Sequence, residues 1–590
     1  MKLFDDPATD RRFNRMQWRM LFATMIGYTL FYFMRKNFSF AMPGLERDCG
    51  ITKDILGNLL FCGGIVYGIS KFVNGIIGDK VNPRKMLCFG LLVCTVVNAA
   101  FGFAPQIAAF LGIGDWGVGN GSGVLGLAWT LGILFVVNQF FQGTGFPPCA
   151  KLIAFWVPPK ELATKMSVWN TSHSIGGGLV AKICGMIMGI GVIAVACNIT
   201  LTPSSKVQDG QNGDGASPNA IHELASVDMS FSINWEPYQA YRLELKPDDE
   251  KPLAGPVTVV LDGQEVGCLN VLNNDDSKGK RKKKAVRYSG LAIAGESLGA
   301  GSHCLTLKGN DVNIKELNLF PCGMWKWCFW SMAILGALGL VAMWFTLPGT
   351  PKEEGLPDLP GTEGGVGKGE GQGEGARNSQ LATRDSALRM VFLNPVIWML
   401  GLCNFTINAS RALVADWGPT LLQEAKGFTS SEAGTVIMFF EFAGIAGMLF
   451  AGWATDRLFG GRAPRLCIFL MVLTAAFLAA FWFLPTGGAS GFLGAAALCL
   501  AGFCVYGPQA LTGVTATNIS TKRFAGTSIG FISLFSYLGV SVAGKVCGNL
   551  AQSSGGWALP LMVTAATAAM GAILFLCLWR TRANSYDEAA

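Results

Sequence analysis

Apolar stretches of about 20 residues or more recur along this chain and restrict the folds that it can adopt. Examples are Trp18–Pro43, Met86–Pro105, Gly123–Pro148 and Leu466–Pro485. A stretch of that length crosses the hydrocarbon core of a bilayer as a helix. Charged residues make up only 14% of the chain, against roughly 25% in soluble domains. The sequence therefore predicts an all-α polytopic membrane protein whose surroundings are a lipid bilayer.

Charge and cysteine content argue against several other classes of protein. The net charge of +7 is dispersed apart from one basic run, Lys278–Lys284, so nucleic-acid binding is not predicted. Most of the 17 cysteines lie in apolar stretches, where a thiol behaves as a small hydrophobe. The spans contain no nucleophile–base pair and no cluster with metal-ligand spacing. We therefore expect neither an enzyme nor a metal or cofactor.

The apolar stretches divide into twelve predicted spans. Their approximate bounds are 17–43, 54–78, 85–105, 123–157, 162–197, 323–347, 394–422, 430–455, 465–485, 491–517, 524–549 and 557–580. The predicted organisation is a first half with spans 1–5 (1–197), an insert (198–322), span 6 (323–348), a Gly-rich flexible linker (349–389), a second half with spans 7–12 (390–582) and a tail (583–590).

An internal repeat supports this division into halves. The pattern T-x4-G-x17-G-x3-D-[K/R] occurs at Thr52, Gly57, Gly75, Asp79 and Lys80, and again at Thr429, Gly434, Gly452, Asp456 and Arg457. A second pattern, R-x7-P-x-L, begins at Arg35 and at Arg411, so spans 1–2 repeat as spans 7–8. Duplicated membrane halves are typical of secondary transporters, whose substrate site lies near the midplane between the halves.

The distribution of basic residues predicts the orientation of the chain. Counting from a cytoplasmic N-terminus places many basic residues in cytoplasmic loops or tails, in agreement with the positive-inside rule: Lys80, Arg84, Lys85, Lys160, Lys165, Arg457, Arg462, Arg465, Lys522, Arg523, Arg580 and Arg582. Both termini are then cytoplasmic, residues 198–322 are extracytoplasmic, and the expected location is the plasma (inner) membrane.

Ionisable residues inside spans are costly in hydrocarbon and are candidates for function. Arg35 and Arg411 are repeat counterparts at similar depth, and a guanidinium fits a phosphate through two parallel hydrogen bonds. Together with Lys71 they outnumber the nearby carboxylates Asp416 and Glu441, which leaves room for an anion. Snorkelling of Arg35 to the membrane surface is the alternative.

His173 is the one histidine of the chain within a span. Its imidazole is a candidate donor to phosphate and changes charge between about pH 5 and pH 8; a role in helix packing stays open. Lys36 follows Arg35 directly, and neighbouring residues lie about 100° apart on a helix. We therefore expect Lys36 to face away from the site.

Five of the nine tyrosines lie inside spans: Tyr28, Tyr32, Tyr67, Tyr506 and Tyr537. A buried tyrosine needs a partner for its hydroxyl, which a polar cavity supplies. Packing is an equal alternative for each of them. Tyr28 and Tyr32 are four residues apart and share a helix face, which makes them stronger candidates.

Two loop strings resemble signatures of the major facilitator superfamily: GIIGDKVNPRK and GWATDRLFGGR. More specific strings resemble the organophosphate:phosphate antiporters of that superfamily: GYTLFYFMRKNFSFAMP, YGISKFVNGIIGDKVNPRK, FQGTGFPPCAK, SVWNTSHSIGGG, DWGPTLL and YGPQALTG. The resemblance covers residues 17–197 and 390–580, and it implies a twelve-span fold of two six-helix halves.

The resemblance implies exchange of inorganic phosphate for glycerol 3-phosphate or hexose 6-phosphate by alternating access. It places phosphate contacts at Arg35, Arg411, Lys71 and His173. The other predicted cavity positions are Tyr28, Tyr32, Tyr67, Asn170, Glu441, Tyr506 and Tyr537, and the predicted gating residues are Asp79, Arg84, Asp416, Asp456 and Arg457. The alternative is a transporter-like receptor that senses a sugar phosphate and signals to a partner.

The insert 198–322 has no counterpart in that family pattern. Its alternating stretches predict strands, with Asp262–Gly263 as a two-residue hairpin turn, and its length suits a small β-sandwich-like domain. Its expected ligand is a carbohydrate or a protein, and an inert or assembly-related role stays open. Cys304 and Cys322 pair only if the compartment is oxidising, which the sequence leaves open.

Overall fold

The structure is a computed structural model, and two compact units make up the chain. One unit is helical and comprises Met1–Met188 with Trp325–Ala590; the other is Gly189–Met324. The residues described are 4, 6–112, 122–190, 193–194, 200–201, 225–233, 240–247, 257–269, 271–272, 287–288, 291–294, 301–309, 314–357, 392–484, 488–519 and 525–580. The predicted tail 583–590 and the basic run 278–284 lie outside them.

Each predicted span coincides with a long helix or, for span 4, with a pair of helices. The helices are α1 (Pro7–Cys49), α2 (Lys53–Lys80), α3 (Pro83–Gly102), α4 (Ala104–Phe110), α5 (Ser122–Gln142), α6 (Phe146–Trp156), α7 (Pro159–Gly189), α8 (Met324–Thr346), α9 (Pro395–Lys426), α10 (Ser430–Arg457), α11 (Ala463–Phe483), α12 (Gly488–Ile519), α13 (Ala525–Ser554) and α14 (Ala558–Cys577).

Length and hydropathy identify this chain as a multi-pass membrane protein. Within the described residues, nine helical segments are long and apolar enough to cross a membrane: α2, α3, α5 with α6, α8, and α10 to α14. The other three long helices, α1, α7 and α9, are more polar. These three carry Arg35, His173 and Arg411, so the polar residues that weaken the hydropathy signal are the functional candidates.

The predicted repeat appears as matched pairs of helices. Gly50 caps the C-terminal end of α1 and Gly427 that of α9, both in the left-handed conformation with φ of 68°, which glycine adopts without steric cost. Thr52 and Thr429 are the N-cap residues of α2 and α10, and each of these two helices has 28 residues. The structure therefore confirms that spans 1–2 repeat as spans 7–8.

The predicted bounds of span 4 match one membrane-spanning segment, Val124–Trp156, whereas the predicted end of span 5 is wrong. Span 4 is interrupted between α5 and α6 at residues 143–145, where two glycines precede a Phe-Pro-Pro sequence that favours a new helix start. Span 5 ends at Gly189 rather than 197. The apolar run continues as a short strand, Ile193–Ala194, that pairs with Leu319 and Asn318, because a short apolar run fits a strand as well as a helix.

The two halves of the helical unit approach closely at the end where α2 and α10 begin, which we call the closed end. A Cβ atom built on Gly434 of α10 would lie 2.4 Å from the carbonyl oxygen of Ala181 in α7. One built on Gly57 of α2 would lie 3.3 Å from the carbonyl oxygen of Gly544 in α13. The glycines that recur in the repeat thus allow helices of opposite halves to touch.

The start of the predicted flexible linker is folded against the first half, which corrects that prediction. The indole nitrogen of Trp156 donates to the carbonyl oxygen of Gly349 at 2.8 Å, and the Arg12 guanidinium donates to that of Glu354 at 3.0 Å. A chain segment with such fixed partners is held in place despite its composition. Residues 358–389 of the linker lie outside the described residues.

The second unit contains the predicted strands. They are β1 (Ile193–Ala194), β2 (Thr200–Leu201), β3 (Ala225–Ile233), β4 (Ala240–Pro247), β5 (Val257–Leu261), β6 (Gln264–Leu269), β7 (Val271–Leu272), β8 (Arg287–Tyr288), β9 (Leu291–Ala294), β10 (Gly301–Gly309) and β11 (Ile314–Pro321). They form antiparallel sheets of four strands (β1-β11-β4-β9), five strands (β2-β3-β10-β5-β6) and two strands (β7-β8).

The predicted hairpin turn of this unit is confirmed, and the predicted sandwich is not supported. β5 pairs with β6 across Asp262 and Gly263, whose φ angles of 48° and 85° are those of a type I′ turn. Strand pairing gives only small separate sheets. Cys304 forms no disulfide with Cys322 in this structure.

Candidate functional site

A cavity of about 260 Å³ lies between the two halves of the helical unit. Side chains of α1, α2 and α5 line it from the first half, and side chains of α9, α12 and α13 line it from the second half. Arg35, Lys36, Arg411 and Asp416 are the charged residues of its wall. The cavity thus brings the two repeated arginines to one space, as the repeat predicted.

Arg35 of α1 is held between aromatic rings. Its guanidinium carbon lies 4.0 Å from the ring centre of Tyr67 and 5.5 Å from that of Tyr32. The negative faces of such rings attract a cation. Among the ion pairs of the described residues, none gives Arg35 a carboxylate partner. The charge of Arg35 is therefore available to an anion.

Arg411 of α9 is only partly engaged by its own half. One terminal nitrogen donates to the side-chain oxygen of Gln509 at 3.3 Å, and the other lies 3.5 Å from a carboxylate oxygen of Glu441. Its guanidinium carbon is 4.5 Å from the ring centre of Tyr506, whose hydroxyl donates to Glu441. The Nε atom of Arg411 is buried without a partner in the described part of the chain, so donor capacity remains.

Lys36 does not face away from the site, which corrects that prediction. Its ammonium nitrogen lies 2.6 Å from a carboxylate oxygen of Asp416, and both residues line the cavity. A lysine reaches sideways along its long flexible stem, so the angle between neighbouring helix positions did not decide its direction. The pair links α1 of one half to α9 of the other.

Positive charge is in excess at the cavity wall. Three cations line it, Arg35, Lys36 and Arg411, against one carboxylate, Asp416; Glu441 lies beside Arg411 and Lys71 beside Tyr537. Removing a charge from water without full compensation costs several kcal/mol. A small anion that enters the cavity would supply the missing compensation.

His173 of α7 lies behind the cavity wall. Its ring centre is 5.8 Å from that of Tyr32, which lines the cavity, and 6.3 Å from that of Tyr506. The Nδ1 atom is hydrogen-bonded to the carbonyl oxygen of Asn170; because a carbonyl only accepts, Nδ1 carries the hydrogen. Nε2 is buried without a partner in the described residues, so its hydrogen-bonding capacity is unused.

The five predicted tyrosines form two groups around the cavity. Tyr32 and Tyr537 line it directly. Tyr67 packs against Tyr537 with ring centres 4.8 Å apart, and Tyr28 against Tyr32 at 5.5 Å, so these two support the lining pair from behind. Tyr506 likewise lies behind the wall, fully buried beside Arg411.

Two further predicted contacts do not line the cavity. The ammonium nitrogen of Lys71 lies 5.0 Å from the ring centres of both Phe146 and Tyr537, so it sits next to the wall. The side chain of Asn170 is exposed, and only its carbonyl oxygen touches His173. The structure brings Lys71 near the site and leaves Asn170 at its margin.

Three other predicted gating residues, Arg84, Asp456 and Arg457, do not line the cavity. Arg84 donates to the carbonyl oxygen of Trp344, and Asp456 and Arg457 are exposed at the end of α10. The side chain of Asp79 lies outside the described residues. Nowhere in the described ranges do three His, Cys, Asp or Glu side chains converge in a way that could hold a metal ion.

The predicted site residues do not include the uncharged amides of the cavity wall. Four amides line it: Gln139, Asn404, Asn408 and Gln509. Asn404 and Asn408 were recognisable as amides one helical turn apart within a span. Asn170 is the one amide among the predicted site residues, although any amide is costly to bury without a partner.

Comparison with known families and proteins adds independent information. Residues 24–202 and 314–544 match the family model described as Major Facilitator Superfamily. A "Probable hexose phosphate transport protein" of Chlamydia pneumoniae is 26% identical and covers 99% of this chain and 96% of its own length. A "Glycerol-3-phosphate transporter" of Bacillus subtilis is 24% identical over 98% of this chain and 95% of its own.

A relative of another kind and a solved structure also match. A "Membrane sensor protein UhpC" of Salmonella typhimurium is 26% identical over 92% of this chain and 86% of its own length. The crystal structure of a D-xylose-proton symporter superposes with a TM-score of 0.57 at 11% identity, covering 96% of this chain and 98% of that one. At such low identity the structural likeness concerns the fold alone.

Proposed function

This chain belongs to the major facilitator superfamily, and we propose that it exchanges inorganic phosphate for a small organophosphate by alternating access. The relatives named above confirm the resemblance to organophosphate:phosphate antiporters. The observation that carries the proposal is a cavity between the halves to which each half contributes an arginine, Arg35 and Arg411.

Shared binding of one phosphate explains why such a carrier exchanges anions. Each guanidinium offers a planar set of donors that fits phosphate bidentately. When both halves close on the phosphate, Arg35 and Arg411 bind it from opposite sides and their charges are neutralised. An empty cavity keeps its uncompensated charge during closure, so the empty carrier reorients slowly.

The organic part of the substrate follows from the relatives. Their names give a hexose phosphate and glycerol 3-phosphate, and both are phosphate monoesters with hydroxyl-bearing carbon chains. We therefore propose glycerol 3-phosphate or hexose 6-phosphate as the counter-substrate of inorganic phosphate.

Orientation and gating complete the proposal. The positive-inside rule supports cytoplasmic termini in the plasma (inner) membrane and an extracytoplasmic insert at 198–322, whose ligand would be a carbohydrate or a protein. The closed end would then face outward. Asp79, Arg84, Asp456 and Arg457 would brace the opposite, cytoplasmic gate, and Asp416 would hold Lys36 across the halves in the present conformation.

Reconstitution of the purified protein tests this function. Proteoliposomes loaded with phosphate should take up labelled phosphate by counterflow, and external glycerol 3-phosphate or hexose 6-phosphate should compete. Sulfate and free glucose serve as controls. Absence of counterflow with correctly inserted protein would reject the proposed exchange.

A receptor for sugar phosphates is the second candidate function. The match to a membrane sensor protein and the separate β-rich unit favour it. A receptor would bind hexose 6-phosphate with little transport, whereas an antiporter would transport it without any other protein. The same proteoliposomes, together with a binding measurement, separate these two functions.

Substitution of His173 should change how substrate affinity depends on pH. The free Nε2 atom accepts a hydrogen bond when neutral and donates one when protonated, and phosphate oxygens need donors. The affinity of the parent relative to His173→Gln should therefore rise toward the acid end of a series from about pH 8 to about pH 5. Comparing both proteins at each pH cancels the titration of phosphate itself; identical profiles would leave His173 a packing residue.

The β-rich unit should be dispensable for exchange. A Cβ on Gly44 would lie 2.8 Å from the Cβ of Trp325 and 3.1 Å from the terminal methyl of Met188, so the end of α7 and the start of α8 are neighbours that a short linker can join. Replacing residues 191–322 by Gly and Ser should preserve phosphate counterflow within about twofold. An inserted deletion protein that binds phosphate but cannot exchange it would contradict this and favour the receptor.

A further inference from the structure

Gln139 of α5 has a polar group in the cavity wall that the phosphate mechanism does not use. The residue lines the cavity and is 7% exposed. Its amide oxygen is buried without a hydrogen-bond partner among the described residues. A buried amide without a partner destabilises the protein, so Gln139 has unmet hydrogen-bonding capacity that a ligand in the cavity could satisfy.

The other amides of the wall are already engaged. Asn404 donates to a carbonyl oxygen of α13 at 3.2 Å, and Asn408 donates to the carbonyl oxygen of Asn404 at 2.9 Å. Gln509 accepts from Arg411 at 3.3 Å. Within the described wall, Gln139 is therefore the amide best placed to serve a ligand.

Close packing fixes the position of Gln139. A Cβ on Gly63 of α2 would lie 3.1 Å from Cγ of Gln139 and 2.2 Å from the ring of Phe135, so α2 approaches closely because Gly63 has no side chain. Phe135 lies one turn before Gln139 and packs against Phe38 with ring centres 4.5 Å apart. Both phenylalanines line the cavity, so two aromatic rings lie in the same part of the wall as the amide.

An amide beside two aromatic rings suits a carbon chain with hydroxyl groups better than it suits a phosphate. An ionised phosphate needs donors with positive charge, which the arginines supply. A hydroxyl both donates and accepts, so it can pair with either end of an amide, and the rings can pack against the carbon chain.

We propose that Gln139 hydrogen-bonds a hydroxyl group on the organic part of the substrate, and so raises affinity for polyol phosphates relative to inorganic phosphate. This inference rests on the proposed exchange function and assigns the organic moiety to the side of the cavity formed by α5 and Phe38. Gln139 is then a specificity-determining residue, whereas Arg35 and Arg411 bind any phosphate.

The test compares Gln139→Met with a matched control, Gln142→Met. Methionine has nearly the size of glutamine and forms no comparable hydrogen bond. Gln142 lies on the same helix, is also buried, and donates to the sulfur of Cys94 at 3.7 Å rather than lining the cavity. Phosphate:phosphate and phosphate:hexose 6-phosphate exchange are measured in the same proteoliposomes, per inserted protein.

Gln139→Met should raise the half-saturating concentration of hexose 6-phosphate about tenfold or more, because a substrate hydroxyl would then be buried without a hydrogen-bond partner. The half-saturating concentration of inorganic phosphate should stay within about twofold of the parent value, because phosphate does not contact the amide. Gln142→Met should leave the ratio of the two constants unchanged. Thermal stabilisation of the detergent-solubilised protein by each anion gives a second readout that does not require transport.

Two results would overturn the inference alone. One is a Gln139→Met protein with intact phosphate exchange and an unchanged preference for hexose 6-phosphate; the other is the same selective loss in Gln142→Met. A parent that neither exchanges phosphate nor gains stability from it would instead overturn the proposed function, and this inference with it.

Discussion

Replacing either Arg35 or Arg411 by lysine is expected to slow phosphate exchange by well over tenfold, about 1.4 kcal/mol or more of barrier. Lysine keeps the charge but loses the planar fork that grips two phosphate oxygens. Arg35→Lys also loses the contact of the guanidinium with the ring of Tyr67, and Arg411→Lys loses the contact with the ring of Tyr506. The measurement is the initial rate of labelled-phosphate counterflow per inserted protein.

Two kinds of control accompany the lysine variants. Arg19→Lys changes an arginine of the same helix α1 that donates to the carbonyl oxygens of Phe345 and Thr346, outside the cavity, and should exchange near the parent rate. The alanine variants of Arg35 and Arg411 should bind phosphate more weakly still. Because alanine removes a buried charge, empty reorientation should speed up, and uncoupled efflux should rise relative to exchange.

Either lysine variant exchanging at the parent rate would contradict shared binding of one phosphate. A similar loss in Arg19→Lys would point to a general effect of arginine removal on folding or insertion. Shared binding requires both halves to contribute, so a defect at only one of the two arginines would also contradict it.

Gly434→Ala is expected to destabilise the closed end and shift the protein toward conformations in which that end is open. The new Cβ would lie 2.4 Å from the carbonyl oxygen of Ala181 and 3.0 Å from Cα of Gly185. Both are backbone atoms of α7, so α7 and α10 must separate. Overpacking of this kind costs about 1–3 kcal/mol, which corresponds to a population shift of about fivefold to over a hundredfold.

Amide hydrogen exchange of residues 181–189 and 430–438 measures this shift directly, and phosphate exchange should fall with it. Gly452→Ala is the matched control, because it lies on the same helix and a Cβ there would have no heavy atom within 4 Å. The control should keep parent-like protection at the closed end. Unchanged protection in Gly434→Ala, or equal loss in Gly452→Ala, would refute the close-contact explanation.

The parts of the site that the sequence predicted are those that depend on the repeat. Arg35 and Arg411 occupy matched positions in two copies of one pattern, so symmetry alone places both at the interface of the halves. The same pattern contains Gly57 and Gly434, and their close contacts explain why no larger residue stands there. Hydropathy gave the positions of the helices because the length of a membrane span is fixed by the bilayer.

Features that depend on tertiary partners were not predictable from the sequence. Lys36 turns toward the cavity because Asp416 of the other half attracts it, and local helix geometry does not contain that partner. The Gly-rich composition of the linker does not reveal that Trp156 and Arg12 hold its first residues. Gln139 stands out only once its lack of a partner is visible.

Efflux of labelled phosphate from proteoliposomes, with and without a counter-substrate outside, measures whether the halves close only around a bound phosphate. If phosphate must neutralise Arg35 and Arg411 before the halves can close, efflux into anion-free buffer should be slow. External phosphate or hexose 6-phosphate should then accelerate it tenfold or more, about 1.4 kcal/mol in the reorientation barrier. If efflux had the same rate with and without a phosphate-bearing anion outside, closure of the halves would not require a bound phosphate, and the proposed exchange mechanism would be wrong.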